Sequence, residues 1–483
     1  MTGAPPTGSL LIRGGRVVNS DDERDADVLV EDGTITAIGT AIGTRADRVV
    51  DASGLYVLPG AIDPHTHIDL DYAGSRTVDD FTVATAGAAV GGTTCVIDFA
   101  MQEPGASCGA ALATWHGKLE RTPPLVDVGF HIALSEFDGD RTPAELVEVA
   151  GQGVTSFKLF MAYKDDVMVD DQALFRTLQI AREQRCLTMV HAENGDAIDV
   201  LVRQALAAGH RETIWHARTR PPLTESEATA RAIALARVAE APLYVVHVSC
   251  REALDAIVAA RRAGAAVWGE TCPQYLTIDS TWLKREDGAK YVFAPPPRTP
   301  ADQEALLRGL AQRDLQAFGS DHCPYQYETE KALAPDFATI PSGGPTIEHR
   351  LQVLWHLGVN GGRLSPSDVV DLAATTPARL FGLPRKGAVA VGGDADLVLW
   401  DGSRELELSA TTHRSRADHS MFEGMTVRGA AHSVFVRGRP VVEDFDVVGE
   451  PGLGRFVARE RFTPPTTNRR SVAPTAPRRS DGH

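Results

Sequence analysis

Over the first sixty residues, apolar positions come in bursts of two to five, separated by turn-forming residues. Apolar stretches at 10–12 and 16–18 flank Gly14-Gly15. Stretches at 28–30 and 34–38 flank Asp32-Gly33, and 49–50 and 55–58 flank Ala52-Ser53-Gly54. This spacing predicts short strands joined by tight turns, and Asp-Gly is a strong hairpin signal. From Pro59 to about Leu383 the pattern becomes strand-then-helix. Apolar runs at 60–63, 93–99, 126–132, 156–160, 187–191, 243–247, 266–270 and 317–321 alternate with helical stretches such as 225–240 and 251–262. Eight strands with helices between them predict a (β/α)8 barrel. A doubly wound sheet would favour a Gly-rich phosphate loop after its first strand, and none is present. Short strands return after Gly387, at 396–400, 433–436 and 440–443. They are expected to join the N-terminal strands in a small β-sandwich built from both chain ends. The predicted organisation is therefore a sandwich from 1–58 and 387–462, a barrel from 59–386, and a disordered, Pro- and Arg-rich tail at 463–483.

Composition narrows the function. The chain has 483 residues, 43% hydrophobic and 23% charged, as in an ordinary soluble globular protein. A net charge of -16 argues against a nucleic-acid or anionic-membrane partner. No apolar run approaches a membrane span, and no secretion signal is seen. The six cysteines show no C-x-x-C spacing and read as reduced thiols, so a cytoplasmic location is expected.

One residue changes the picture. Lys158 sits inside the apolar run Ser156-Phe157-Lys158-Leu159-Phe160. A buried lysine must lower its pKa, find a partner or be modified. His65-Thr66-His67, His191, His247 and Asp321 each fall at or just beyond the end of a predicted strand, where barrel active sites form. Taken singly, each has a plain reading: a structural histidine, a helix cap at Asp321, a lysine on a misread strand. Their coincidence at five strand ends points to a two-metal hydrolase. In it Lys158 would carry CO2 as a carbamate, whose two oxygens can bridge two cations. Imidazole and carboxylate ligands suit zinc, and also manganese, cobalt or iron. His322 and Cys323, next to the aspartate, are expected to support the site rather than to bind metal.

These residues sit in stretches that resemble the cyclic amidohydrolases, most closely their dihydropyrimidinase/D-hydantoinase branch. The stretches are Asp63-Pro-His-Thr-His67, Gly91-Gly-Thr-Thr94, Ser156-Phe-Lys-Leu-Phe-Met-Ala-Tyr163, Val190-His-Ala-Glu-Asn194, His247-Val-Ser249, Gly269-Glu-Thr-Cys-Pro-Gln-Tyr-Leu276, Gly319-Ser-Asp-His-Cys-Pro324 and Thr376-Pro-Ala-Arg-Leu-Phe-Gly382. The resemblance implies that His65, His67 and Asp321 hold the more buried metal, that His191 and His247 hold the second, and that carboxylated Lys158 bridges them. It implies that Asp321 shuttles a proton, that Tyr163 supports the developing oxyanion, and that the backbone at Ala294 and Ser342 grips the cyclic amide edge. It also implies a homo-oligomer, a tetramer or dimer. The small-molecule substrate would be a 5,6-dihydropyrimidine or 5-substituted hydantoin, opened to an N-carbamoyl amino acid.

The pocket wall departs from the branch. Ser is usual where Ala294 stands and Asn where Ser342 stands. Leu70-Asp71-Tyr72-Ala73 replaces the usual Met-Pro-Phe-Gly. Leu70 and Tyr72 are expected to touch the ring substituent. Asp71 either faces it, disfavouring aryl and acidic arms, or points to solvent. Alternatives are a sister activity, allantoinase or dihydroorotase, and a non-catalytic scaffold. The acidic run Ile68-Asp69-Leu70-Asp71, where a dihydroorotase usually has an arginine, disfavours that enzyme. The intact ligand set disfavours the scaffold.

Overall fold

The computed structural model describes residues 8–72 and 74–464. The predicted tail lies outside the described residues except for 463 and 464. Eight parallel strands form the larger unit: β1 (Ala61–Thr66), β2 (Thr93–Met101), β3 (Asp127–Ala133), β4 (Ser156–Phe160), β5 (Leu187–His191), β6 (Leu243–Val245), β7 (Val267–Thr271) and β8 (Ala317–Phe318). They pair in that order around the sheet. Every residue of these strands is buried, which is why they read as continuous apolar runs rather than as alternation. β1 and β8 close the ring just past their ends. Thr66 bridges His322 in parallel, His67 N–H donates to the His322 carbonyl at 2.8 Å, and Asp321 N–H donates to the His65 carbonyl at 3.0 Å.

Side-chain caps set where the outer helices begin. Asp80 caps Phe81–Val90, Asp170 caps Asp171–Gln184 and Asn194 caps Gly195–Ala207. Thr299 and Asp302 make a capping box at Pro300–Ala311. The predicted helix at 251–262 is observed as Arg251–Arg262, and the one at 225–240 as Pro222–Val238.

The two chain ends build the second unit as expected, and its strands join into one mixed nine-stranded sheet. Leu397–Glu407 pairs antiparallel with Tyr56–Pro59, so the two ends meet at the residues that lead into the barrel. Ser9–Val18 is broken by a bulge between Ile12 and Gly15. Before the bulge it pairs in parallel with Arg48–Asp51, and after it with Tyr56–Pro59. Glycine is needed there: a Cβ on Gly15 would lie 2.5 Å from Val57 Cγ2. Leu10, Ile12, Val28 and Val57 from one end pack with Leu397 and Phe435 from the other.

A buried charge cluster ties the units together. Lys386 Nζ donates to Asp127 at 2.8 Å and to Asp396 at 2.5 Å, and Arg437 meets Asp127 at 2.5 Å. Asp127 opens β3, whereas Asp396 and Arg437 belong to the small unit. The segment ending at Phe462 then crosses the face where the strands begin. Val457 N–H donates to the Val128 carbonyl at 2.8 Å, and Phe462 N–H to the Arg185 carbonyl at 2.7 Å.

Candidate active site

At the opposite face, where the strands end, a cavity of about 530 Å³ is lined by His67, Lys158, Tyr163, His191, His247 and Asp321 among others. His65 lies beneath it, fully buried at the end of β1. His65 Nε2 is 3.1 Å and His67 Nε2 3.4 Å from the same Asp321 oxygen. One ligand atom from each of these three residues falls within 4.8 Å of the others. His191 closes β5, and its Nδ1 lies 2.9 Å from His247 Nε2. Lys158 is buried between aromatic faces, its ammonium 4.8 Å from the Phe99 ring and 5.2 Å from that of Phe160.

Two strands are shorter than expected. β6 ends at Val245 and β8 at Phe318, so His247 and Asp321 lie beyond the ladders rather than closing them. Both adopt left-handed backbone, with φ of 39° and 53°, as does Tyr163 at 67°. For non-glycine residues this conformation costs about 1–3 kcal/mol each and persists where the surroundings enforce it. It turns these three side chains into the cavity.

The donors are strongly perturbed. Burial pulls the His65 imidazolium down, but Asp321 and Glu270 outweigh it and raise its pKa to about 9. Burial lowers His67 to about 4 and Lys158 to about 8, the latter against the pull of Asp321 and Glu270. Burial opposes ionisation of Asp321, yet the His65 and His67 contacts hold it well below the usual carboxylate range. Such a cluster, with buried His65 Nε2, His67 Nδ1 and His247 Nδ1 lacking hydrogen-bond partners, suits divalent cations.

Two supporting carboxylates escaped the sequence reading. Glu270, in β7, contacts His65 Nδ1 and accepts from Tyr244 Oη at 2.8 Å. Glu193 meets His191 Nε2 at 2.9 Å. Carboxylates behind ligating histidines fix the ring and its tautomer. The signal was present: each is a glutamate at or just past an apolar strand end, as costly to bury as Lys158.

The walls settle the loop after β1. Leu70 and Tyr72 line the cavity, and Tyr72 Oη donates to Asp166 at 2.5 Å. Asp71 does not face the cavity: it is exposed and lies 3.7 Å from Arg76. Asp69, also expected to repel an anion, is buried and held by Arg76. Ala294 and Ser342 line the cavity. His322 is buried against Asp79 at 3.1 Å, while Cys323 lines the cavity and meets Tyr325 Oη at 3.6 Å.

The chain resembles known proteins over most of its length. Residues 56–441 match the family model described as "Amidohydrolase family". A D-hydantoinase of Geobacillus stearothermophilus is 46% identical over 456 residues, covering 94% of this chain and 97% of the relative. A dihydropyrimidinase of Rattus norvegicus is 40% identical over 473 residues, covering 95% and 90%. The crystal structure of dihydropyrimidinase from Brevibacillus agri NCHU1002 superposes with a TM-score of 0.92 at 46% identity, over 95% of this chain and all of that one (100%).

Proposed function

The chain belongs to the amidohydrolase family, and from that premise we propose that it is a cyclic amidohydrolase that opens 5,6-dihydropyrimidines or 5-substituted hydantoins to N-carbamoyl amino acids. The observation that carries this reading is the convergence of His65, His67 and Asp321 within 4.8 Å, in a cavity shared with Lys158, His191 and His247. His65, His67 and Asp321 would hold one divalent ion, zinc by preference, and His191 and His247 a second. Lys158, which makes no ion pair among the described residues, would bridge them as its carbamate. Bound there, the ions supply Lewis acidity and hydroxide near neutral pH.

The chain's own groups do the rest. Water adds across the ring C–N bond. Asp321 accepts its proton and returns it to the ring nitrogen as that bond breaks. Tyr163 lines the cavity with its ring 5.0 Å from that of His191. Burial keeps its phenol protonated, well above the ordinary range, so it donates to the oxyanion as charge develops. The backbone at Ala294 and Ser342 holds the cyclic amide edge. The described cysteines are all buried and unpaired, which suits the cytoplasmic location this reading assigns. The expected assembly is a homodimer or homotetramer. Among the described residues no helix is long and apolar enough to cross a membrane.

The test is a substrate panel on purified, metal-loaded protein: dihydrouracil, hydantoin, phenylhydantoin, allantoin and dihydroorotate. Dihydrouracil or a hydantoin should give the N-carbamoyl product. Turnover of allantoin or dihydroorotate alone would move the chain to a sister activity.

A further inference from the structure

We propose that Arg220 forms an anion subsite in this cavity, and that the preferred ring carries an arm ending in a carboxylate. This deepens the ring-opening reading above and rests on it. A cavity of about 530 Å³ is in the range that holds a drug-sized ligand. An unsubstituted five- or six-membered ring would leave much of it unfilled.

Arg220 follows the short helix Ile214–Arg218 and lines the cavity. Its backbone is fixed by a buried ionic network. The Arg220 carbonyl accepts from Arg298, which pairs with Glu225 at 2.9 Å and donates to Ser249 Oγ at 2.9 Å. Its side chain, by contrast, is uncommitted. The guanidinium makes no ion pair or hydrogen bond among the described residues, and its Nε is buried without a partner. Glu193, which feels its charge, is engaged with His191 at 2.9 Å and forms no ion pair with it. A buried donor left unsatisfied is costly, and an acceptor that arrives with the ligand would satisfy it.

The other charges on the wall are already matched or belong to the proposed metal centre. Lys164 pairs with Asp196 at 2.5 Å, Asp199 pairs with Arg203, and Asp166 accepts from Tyr72. Asp166, which accepts from a phenol and makes no ion pair among the described residues, repels an anion from the Tyr72 side and favours the Arg220 side. A guanidinium recognises a carboxylate through two parallel hydrogen bonds, and no neutral arm offers the same pairing. With Asp71 turned to solvent, the loop after β1 raises no barrier to such an arm.

The experiment compares matched hydantoins whose 5-arm of one to three methylenes ends in a carboxylate or in its neutral carboxamide. The readout is the acid-to-amide ratio of kcat/KM within one preparation. The wild-type chain should favour the acid by roughly tenfold or more at its best arm length. Higher salt should narrow the ratio. Arg220→Met should bring the ratio near one, and Arg220→Lys should keep part of it. A wild-type ratio near one at every arm length overturns the proposal and needs no variant. An acid preference that survives in Arg220→Met also overturns it. If no ring in the series is opened, dihydrouracil and unsubstituted hydantoin included, it is the ring-opening reading that has failed.

Discussion

In the proposed mechanism Lys158 and Asp321 carry the chemistry, and each makes a separate prediction. Lys158 has aromatic neighbours and no ion-pair partner among the described residues. Lys158→Ala should therefore lose bound metal and turnover together, and short carboxylic acids should restore part of both. Metal analysis and a rate on the same sample check this. Asp321→Asn should retain some metal yet lose at least about 10²–10⁴-fold in kcat, the usual contribution of a general base. A near-wild-type rate in that variant moves the base elsewhere, with His322 the first candidate. Glu270→Gln should weaken metal binding about 10–100-fold, as loss of a carboxylate behind a ligating histidine does. A competition titration against a chelator reads it. Lys158 was legible in the sequence because a cation in an apolar run has few explanations. Glu270 and Glu193 carried a like signal at strand ends, but the histidine that each supports is identified only in the folded site.

At the scale of elements, strand order was legible while the strand ends were not. β4 and β5 match their apolar runs residue for residue. β6 and β8 stop short because the ladder gives way to left-handed residues at His247 and Asp321, and no hydrophobic pattern encodes that turn. The loop after β1 was ambiguous for a similar reason: alternating Leu70, Asp71 and Tyr72 do not say which side faces the cavity. With Asp71 exposed, Asp71→Asn should leave the ratio of aryl to unsubstituted hydantoin turnover unchanged, whereas Tyr72→Ala should shift it. The clamp between the units offers a stability test. Lys386→Met takes the cation from the buried Asp396 carboxylate and leaves Asp127 with Arg437, and breaking such a buried arrangement costs about 3–5 kcal/mol. A denaturant midpoint that does not move would show that the cluster adds nothing.

At the scale of the whole molecule, the two ends of the chain are tied to each other and to the barrel where its strands begin. They share the nine-stranded sheet, and the segment ending at Phe462 closes the face where the strands begin. A chain stopped after residue 464 should fold and turn over normally. One stopped after 454 removes Arg459, whose guanidinium donates to Ser156 Oγ at 2.8 Å, and should aggregate or melt well below the full chain. Alternation of strand and helix showed the barrel, and short strands at both ends showed the second unit. That its strands form one sheet, branched at a bulge, depends on Gly15 meeting Val57, a contact between distant residues. A two-metal, carbamate-bridged hydrolase is tested by counting metal ions per chain and measuring dihydrouracil or hydantoin turnover on the same preparations, reconstituted with and without CO2. Metal content should reach two ions per chain, and it and turnover should rise together with CO2. Full turnover with one ion or none, or without CO2 in a chain shown to lack the carbamate, would contradict that reading.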